Sequence, residues 1–585
     1  MFWKGGVLAA FTFFFKATLA AIANSSPQRY LQPDGLVTPF ILLHGNHLYN
    51  WMSDEKGYTV VKDESGWYNY AVKTNEGDII SSGIPVGSKN PKKYGIIPGL
   101  LHAENRRPIH GIVKDSSILI EQRSLFQIPE NAVCGFNGSK KNPCRLRGIV
   151  FLVQFKDHSK RVLPSQQEYY TLFNNNGPDS KVAPTGSVSD VFAKNSYQTF
   201  VLDTYVTPWI KVARTEAQTV DGNMGLNKAG TKLTWIKAIK KFETFDVNKN
   251  GEFDCVIFLH SGSAGEAGGI DCENGKDKTG RIWSHSVPSN LYTTADGLIK
   301  VNRYFVSSAL FGVCPSAGNG TKWDIARIAV IAHECAHFLG LPDLYDGSGG
   351  QGVGTYDLMA NMWGWYGNQL YPPLLGAWSK LKLGWGDVVP VRGEGTHTFQ
   401  LGPACTSDTI LYIDHRMKEG EYFLLEYRYP CGFDWELAHH NDWKRDRSGL
   451  AIWHIDESGL EKDVNFQSEG IPGKSKLHYA VALVQGDGAF NLEKDLKDGG
   501  NKGDSFDLFM DCKDYDCGKS KKIDNTGITK ANGIKLSEPS TKGYAGGTQY
   551  ENGITFEVGV YAANLSVIIT LEGNDPDPNW FPGMN

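Results

Sequence analysis

The chain has 585 residues and a net charge of −5, with 41% hydrophobic and 21% charged residues. That composition is globular rather than disordered, and the length argues for three or four domains. So small a charge gives no electrostatic reason to expect nucleic acid or an anionic membrane as a partner.

Residues 1–23 have the layout of a secretory signal. Lys4 follows a short start, an apolar stretch runs through Phe15 and resumes to Ala23, and Ala21-Ile22-Ala23 is a small-residue cleavage site. Lys16 interrupts the stretch and would sit near mid-bilayer in a spanning helix, which argues against an anchor. No later run reaches membrane-spanning length, so a secreted, soluble monomer is expected. Ten cysteines fit an oxidising destination. Cys134 and Cys144 are close in sequence, as are Cys512 and Cys517, but spacing fixes no connectivity. Cys335 reads as a buried free thiol. Asn24, Asn137, Asn319 and Asn564 stand in glycosylation sequons.

From 24 to about 130, short alternating runs at 58–61 and 67–72, split by Asp/Glu/Gly turns, predict strands and hairpins. The Pro- and Lys-rich stretch from Lys89 to Arg107 reads as an exposed connector. The segment from Gly148 to Phe155 is a buried-strand pattern, and Cys255 to Leu259 is another. Between them, Asp246, Asn248, Asn250 and Asp254, with Gly251 at a sharp turn, supply oxygen donors of the kind that hold calcium. Ile257 stands where an EF-hand needs its bidentate Glu, so a true EF-hand is not expected. An Asx-rich turn ahead of the strand accounts for the same residues.

From Trp323 to Leu339 the apolar spacing is helical, with Thr321 and Asp324 at a capping-box interval and Gly340 as the stop. His333 and His337 are four apart, so both imidazoles leave one helix face and can hold one Zn²⁺. Glu334 adjoins the first ligand and can take a proton from a metal-polarised water. Gly340 allows the chain to turn back and present Asp343 as a third ligand, although a turn residue or N-cap also fits that aspartate. In the segment 355–364, Met359 reads either as core filling or as an apolar floor beneath the metal. Trp363, Trp365 and Tyr366 could wall a substrate cleft, and Tyr366 could donate to an oxyanion, though aromatics usually pack.

His285 and His454, each near a Trp, read as satisfied core histidines. Beyond Gly393, apolar runs at 409–413, 422–427, 450–455, 555–558 and 565–569 predict a β-sandwich. Asp487, Asp504, Asp507, Asp511, Asp514 and Asp516 form an acidic loop region between them, which reads as solvated surface.

The run HECAHFLGLPDLYD at 333–346, followed by YDLMANMWG at 356–364, resembles the immune inhibitor A family of secreted, metzincin-like metalloproteases. The segments 57–61 with 66–68, 245–254, 282–285, 376–385, 449–456 and 484–488 are also similar to family segments. Cys335 and Met362 depart from the small residues expected at those places. The resemblance implies an α+β architecture: a metzincin-like catalytic domain at 131–390, an N-terminal β-rich propeptide at 24–130 after the signal at 1–23, a C-terminal β-sandwich domain at 391–575, and a tail at 576–585. It implies a zinc-dependent endopeptidase acting on extracellular proteins, with His333, His337 and Asp343 on zinc, Glu334 as base, Tyr366 assisting, and Gly340 and Met359 as structural elements. Calcium at Asp246, Asn248, Asn250 and Asp254 is a second cofactor expectation. No cysteine precedes Cys134, which rules out a thiolate latch from the first hundred residues; a carboxylate or one of His44, His47, His102 and His110 could block the metal, or the cleft could simply be covered. A protease-like adhesion or carbohydrate-binding protein without activity, and a zinc hydrolase of non-peptide substrates, are the alternatives.

Overall fold

The computed structural model describes residues 19–20, 23, 27–45, 50–74, 78–100, 140, 142–219, 246, 251–275, 277, 280–293, 297, 299–345, 351–438, 448–457, 480–494, 499–504, 506–509, 522–523, 552–561 and 564–573. Most of the signal stretch, residues 101–139, which include the end of the expected 89–107 connector, and the tail lie outside the described residues.

A two-residue strand, β1 (Leu19–Ala20), comes first. It is followed by β2 (Ile41–Gly45), β3 (Asn50–Asp54), β4 (Thr59–Lys62), β5 (Tyr68–Lys73) and β6 (Ile79–Pro85). These last five pair in sequence order as an antiparallel meander. The runs predicted at 58–61 and 67–72 are β4 and β5. Val60, Tyr68 and Tyr70 turn inward against Tyr30 and Ile41 and give this sheet a small core of its own.

The middle sheet is built from β7 (Cys144–Gln154), β8 (Phe200–Val206), β9 (Ile210–Lys211), β10 (Cys255–His260), β11 (His285–Thr293) and β12 (Lys300–Ser308). Its order is β1-β11-β12-β10-β7-β8, with β9 beside β7. Strands β7, β8, β10 and β12 run parallel, while β11 is antiparallel to β12. Every residue of β10 is buried, as a parallel strand covered on both faces requires. Helices α1 (Gln166–Asn174) and α2 (Val188–Asn195) lie between β7 and β8 in sequence, each started by a serine capping box, Ser165 with Glu168 and Ser187 with Asp190. They share a core with Leu152, Ile257, Phe305 and helix α3 (Ile328–Ala336). The opposite face of the sheet packs Phe151, Phe258, Tyr304 and Val306 together.

Helix α4 (Ala377–Leu383) leads into β13 (Asp387–Pro390), β14 (Gly395–Leu401), β15 (Thr409–Ile413), β16 (Glu421–Arg428), β17 (Gly449–Asp456), β18 (Val481–Leu483), β19 (Lys522–Ile523), β20 (Ile554–Tyr561) and β21 (Leu565–Leu571). They form two sheets, β13-β15-β16-β17-β18 and β14-β21-β20-β19. Phe423, Leu425 and Ile452 of the first meet Phe556, Val567 and Ile569 of the second in one core. The other face of the first sheet, with Leu424, Trp453 and Ile455, joins the main core around α3. Strands β16 and β17 are therefore buried on both faces, unlike an antiparallel sheet that shows one face to water. A disulfide between Cys405 and Cys431, which the sequence did not suggest, closes one end. Among the described residues no helix is long and apolar enough to cross a membrane.

The helix predicted from Trp323 is shorter than its apolar spacing suggested. Ile325 forms a bridge with Leu310 just beyond β12, which holds this stretch extended. Arg327 occupies the N-cap position without a side-chain cap. Asp324, predicted to cap, instead accepts from Ser316 and Asn319.

Candidate metal centre

All nine residues of α3 are buried, His333 and Glu334 included, so this helix is held by packing rather than by caps. It tightens into a single 3-10 turn at His337–Leu339 and stops at Gly340, whose φ of 89° is the left-handed conformation that glycine tolerates. The reversal there brings Leu341 back under the helix, where its carbonyl faces His337 Nδ1 at 2.7 Å. The Leu358 carbonyl faces His333 Nδ1 at 3.0 Å. A carbonyl can only accept, so each Nδ1 carries the proton and each Nε2 keeps its lone pair.

The two Nε2 atoms and Asp343 Oδ1 lie within 4.8 Å of one another. Oδ1 is 3.2 Å from His333 Nε2 and 3.4 Å from His337 Nε2, yet all three atoms are buried and make no hydrogen bond. Three acceptors facing one point with no proton between them is an unfavourable arrangement for a protein alone. Two imidazole nitrogens and one carboxylate oxygen are a donor set that suits zinc and leaves a coordination position open. The Tyr345 hydroxyl donates to Asp343 Oδ2 at 2.9 Å and so fixes which oxygen turns inward. Burial pushes His337 below its usual range, with Asp343 opposing. Burial alone would raise the Asp343 carboxyl, but His337 and His333 outweigh it and hold it well below the usual carboxylate range. A His337 shifted towards its neutral form and an ionised Asp343 are the protonation states metal binding requires of them. Glu334, the next residue after His333, is fully buried on the same helix.

The segment 353–363 underlies this helix. Met359 is fully buried in the main core. Its backbone links two of the ligand segments: the preceding carbonyl holds His333, and its own carbonyl accepts from Leu344 N at 2.8 Å, next to Asp343. Asp357 shapes the turn, accepting from Met359 N at 2.7 Å and, through its other oxygen, from Gly376 N at 2.8 Å and Ser379 Oγ at 2.7 Å. The C-terminal sheet grips the same turn. Arg428 donates to the Tyr356 carbonyl at 2.6 Å and forks onto Asp434 at 2.6 and 2.7 Å. Sequence reasoning missed Arg428; a lone arginine ending an apolar run carries no local signal of such a role.

Tyr366 is exposed at the end of this segment, and Trp365 packs edge-on against Tyr356. Glu436 accepts from Trp365 N at 2.8 Å and Tyr366 N at 3.3 Å. Burial drives this carboxyl up to about 7, against the pull of those N–H groups.

The other residues singled out in the sequence divide differently. Asp246 accepts from Gly251 N and Asp254 from Arg147 N, so each described carboxylate already serves a main-chain amide. Asn248 and Asn250 lie outside the described residues. Among the described residues the trio of His333, His337 and Asp343 is the one metal-capable cluster found. His285 Nδ1 faces the Trp283 carbonyl, and His454 Nε2 faces Glu421. In the acidic loop region, Asp507 is not solvated surface: it is fully buried and accepts from the Tyr356 hydroxyl at 3.1 Å. Asp511, Asp514, Asp516, Cys512 and Cys517 lie outside the described residues. Cys335 is a buried free thiol, whereas Cys144 is in a disulfide.

No curated protein matches this chain. Residues 154–384, which hold most of the middle sheet, the histidine helix and the turn beneath it, match the family model of the immune inhibitor A peptidase M6 catalytic domain.

Proposed function

We propose that the chain is a secreted zinc endopeptidase that hydrolyses peptide bonds of extracellular proteins. The observation that carries this reading is the convergence of two buried Nε2 lone pairs and one carboxylate oxygen, none hydrogen-bonded, at a helix that also carries the buried Glu334. His333, His337 and Asp343 would hold the ion, which when bound supplies Lewis acidity for the scissile carbonyl and the attacking water. Glu334 takes the proton of that water and passes it to the leaving amine. The Leu358 and Leu341 carbonyls keep both imidazoles in the ligating tautomer. Tyr366, at the exposed end of the turn, is the residue in reach of solvent for a hydrogen bond to a developing oxyanion.

The N-terminal sheet is read as a latency segment. Its support is that this sheet docks on the 266–283 loop, with Gln28 on the Ala267 carbonyl, the Tyr30 hydroxyl on Gly269 N and Lys62 on Asp277.

Glu334→Gln tests the reading. Casein cleavage should fall by about 10²–10⁴-fold with zinc content unchanged. Full activity in that variant would remove Glu334 from the mechanism, and a wild-type chain that binds zinc but cleaves no protein would favour an adhesion role.

A further inference from the structure

The four described free cysteines fall into two facing pairs. Cys255 opens β10 and Cys335 lies on α3; both are buried, and their thiols hydrogen-bond in the core. Cys272 and Cys314 are the other pair. Cys272 is exposed and Cys314 half-buried, on two loops that flank β11 and β12.

These two loops meet at the cysteines. Cys272 N donates to the Val313 carbonyl at 3.1 Å. That oxygen is about 4 Å from the donor's own Cα and about 2.8 Å from the Cα of residue 314, so the two Cα atoms are at most roughly 7 Å apart, which is the reach of a disulfide. The thiols close the gap, with Cys272 hydrogen-bonded to Cys314. Both neighbours of Cys272 are fixed as well. Asp271 pairs with Arg161 Nη2 and Glu273 with Arg161 Nε, each at 2.7 Å, and Glu273 accepts from Trp323 Nε1 at 3.1 Å. Little chain freedom is left to lose when the sulfurs join.

We propose that Cys272 and Cys314 form a disulfide that fastens the loop receiving the N-terminal sheet to the loop leading into α3. Gln28 donates to the Ala267 carbonyl of the receiving loop, and the Tyr30 hydroxyl accepts from its Gly269 N. Gly269 in turn lies against Val313, where an added Cβ would stand 3.3 Å from the valine side chain. The bond therefore holds the two faces of this junction together.

The oxidant is a disulfide of the glutathione class. One protein thiolate attacks a glutathione sulfur and expels one glutathione. The second protein thiolate attacks the mixed disulfide and expels the other, so one protein S–S bond and two glutathione thiols replace two protein thiols and one glutathione S–S bond. Burial and the hydrogen bond with Cys314 push the Cys272 thiol up. That slows its attack, but it also leaves no stabilised thiolate to favour the reduced pair. Burial closes Cys255 and Cys335 to the same oxidant. The disulfide does not depend on the peptidase reading, and its test follows cysteines rather than turnover.

Purified full-length protein is incubated for hours with oxidised glutathione, alkylated, digested without reductant and mapped by mass spectrometry. One cross-linked pair of peptides carrying Cys272 and Cys314 is expected. Cys272→Ser should leave Cys314 alkylated or glutathionylated and should melt several degrees below the oxidised wild type. The double variant Cys272→Ser/Cys314→Ser should melt no lower, because either change removes the same bond. If a variant fails to fold, the wild-type map alone decides. Cysteines at 272 and 314 that stay open to alkylation, carry separate glutathiones or bond to other cysteines would overturn the proposal.

Discussion

The N-terminal sheet and the C-terminal sandwich both rest on the middle of the molecule, but different forces hold them there. The N-terminal sheet has a core of its own, with Ile270 at its border, and meets the 266–283 loop through a small apolar cluster of Leu43, Met52 and Trp283 and through several polar contacts. Gln28 donates to the Ala267 carbonyl at 2.5 Å, the Tyr30 hydroxyl accepts from Gly269 N at 3.2 Å, and Lys62 pairs with Asp277 at 2.9 Å. Such contacts exchange readily for water and are worth little individually. The sandwich, by contrast, contributes Leu424, Trp453 and Ile455 to the same core as Met359 and α3. Gly376 has no room for a side chain, because a Cβ there would stand 2.6 Å from the Trp453 ring. Arg428 is buried with both its acidic partners and holds the turn under the histidines. The first attachment is the smaller and the more polar; the second makes the sandwich part of the framework around the histidines.

Breaking the second attachment should have the largest effect. Arg428→Met strands Asp434 in the interior and leaves Glu426 to Lys380 and Trp453, which should cost about 3–5 kcal/mol in urea unfolding and lower activity with it. A loss under about 1 kcal/mol would mean that the ion network is incidental, given what stranded buried charges normally cost.

Glu436 sharpens the contrast by pH. Its folded value of about 7 lies above that of an unfolded glutamate, so the folded state holds an extra proton between the two. Stability from this group is therefore full below the unfolded value and is lost as pH rises towards and through 7. The groups around it are the N–H groups of Trp365 and Tyr366 and the Asn368 side chain, and Tyr371 feels its charge. Glu436→Gln should flatten the melting temperature between pH 5 and 8 by a few degrees; an unchanged slope would show that the carboxyl does not titrate there.

The first attachment should barely respond to single changes. Tyr30→Phe should cost about 1 kcal/mol or less, and Lys62→Ala about 0–1 kcal/mol, both followed by thermal melting of the full chain. A loss of several kcal/mol from either would make the N-terminal sheet an integral part of the fold.

The elements that the sequence reveals are those whose signal is local. Strands β4, β5, β10, β15, β16 and β17 lie where apolar runs put them, because each run is bounded by turn residues and long enough to bury. The histidine spacing, Gly340 and Asp343 were legible for the same reason: a helical repeat and a forced reversal act over ten residues. What was hidden is set by distant chain. The start of α3 moved because Leu310 holds Ile325 extended. The grip of Arg428 on Tyr356 spans 72 positions. The burial of Asp507 depends on a hydroxyl 151 positions away, and nothing in an acidic loop foretells it.

The central claim is that His333, His337 and Asp343 hold one zinc ion. Its most direct test is metal analysis of the purified wild type beside Asp343→Ala, with both checked for folding by circular dichroism. The account predicts about one zinc per wild-type chain and a strong loss in Asp343→Ala, since a catalytic zinc site needs three protein ligands. Full zinc occupancy in a folded Asp343→Ala protein would contradict it.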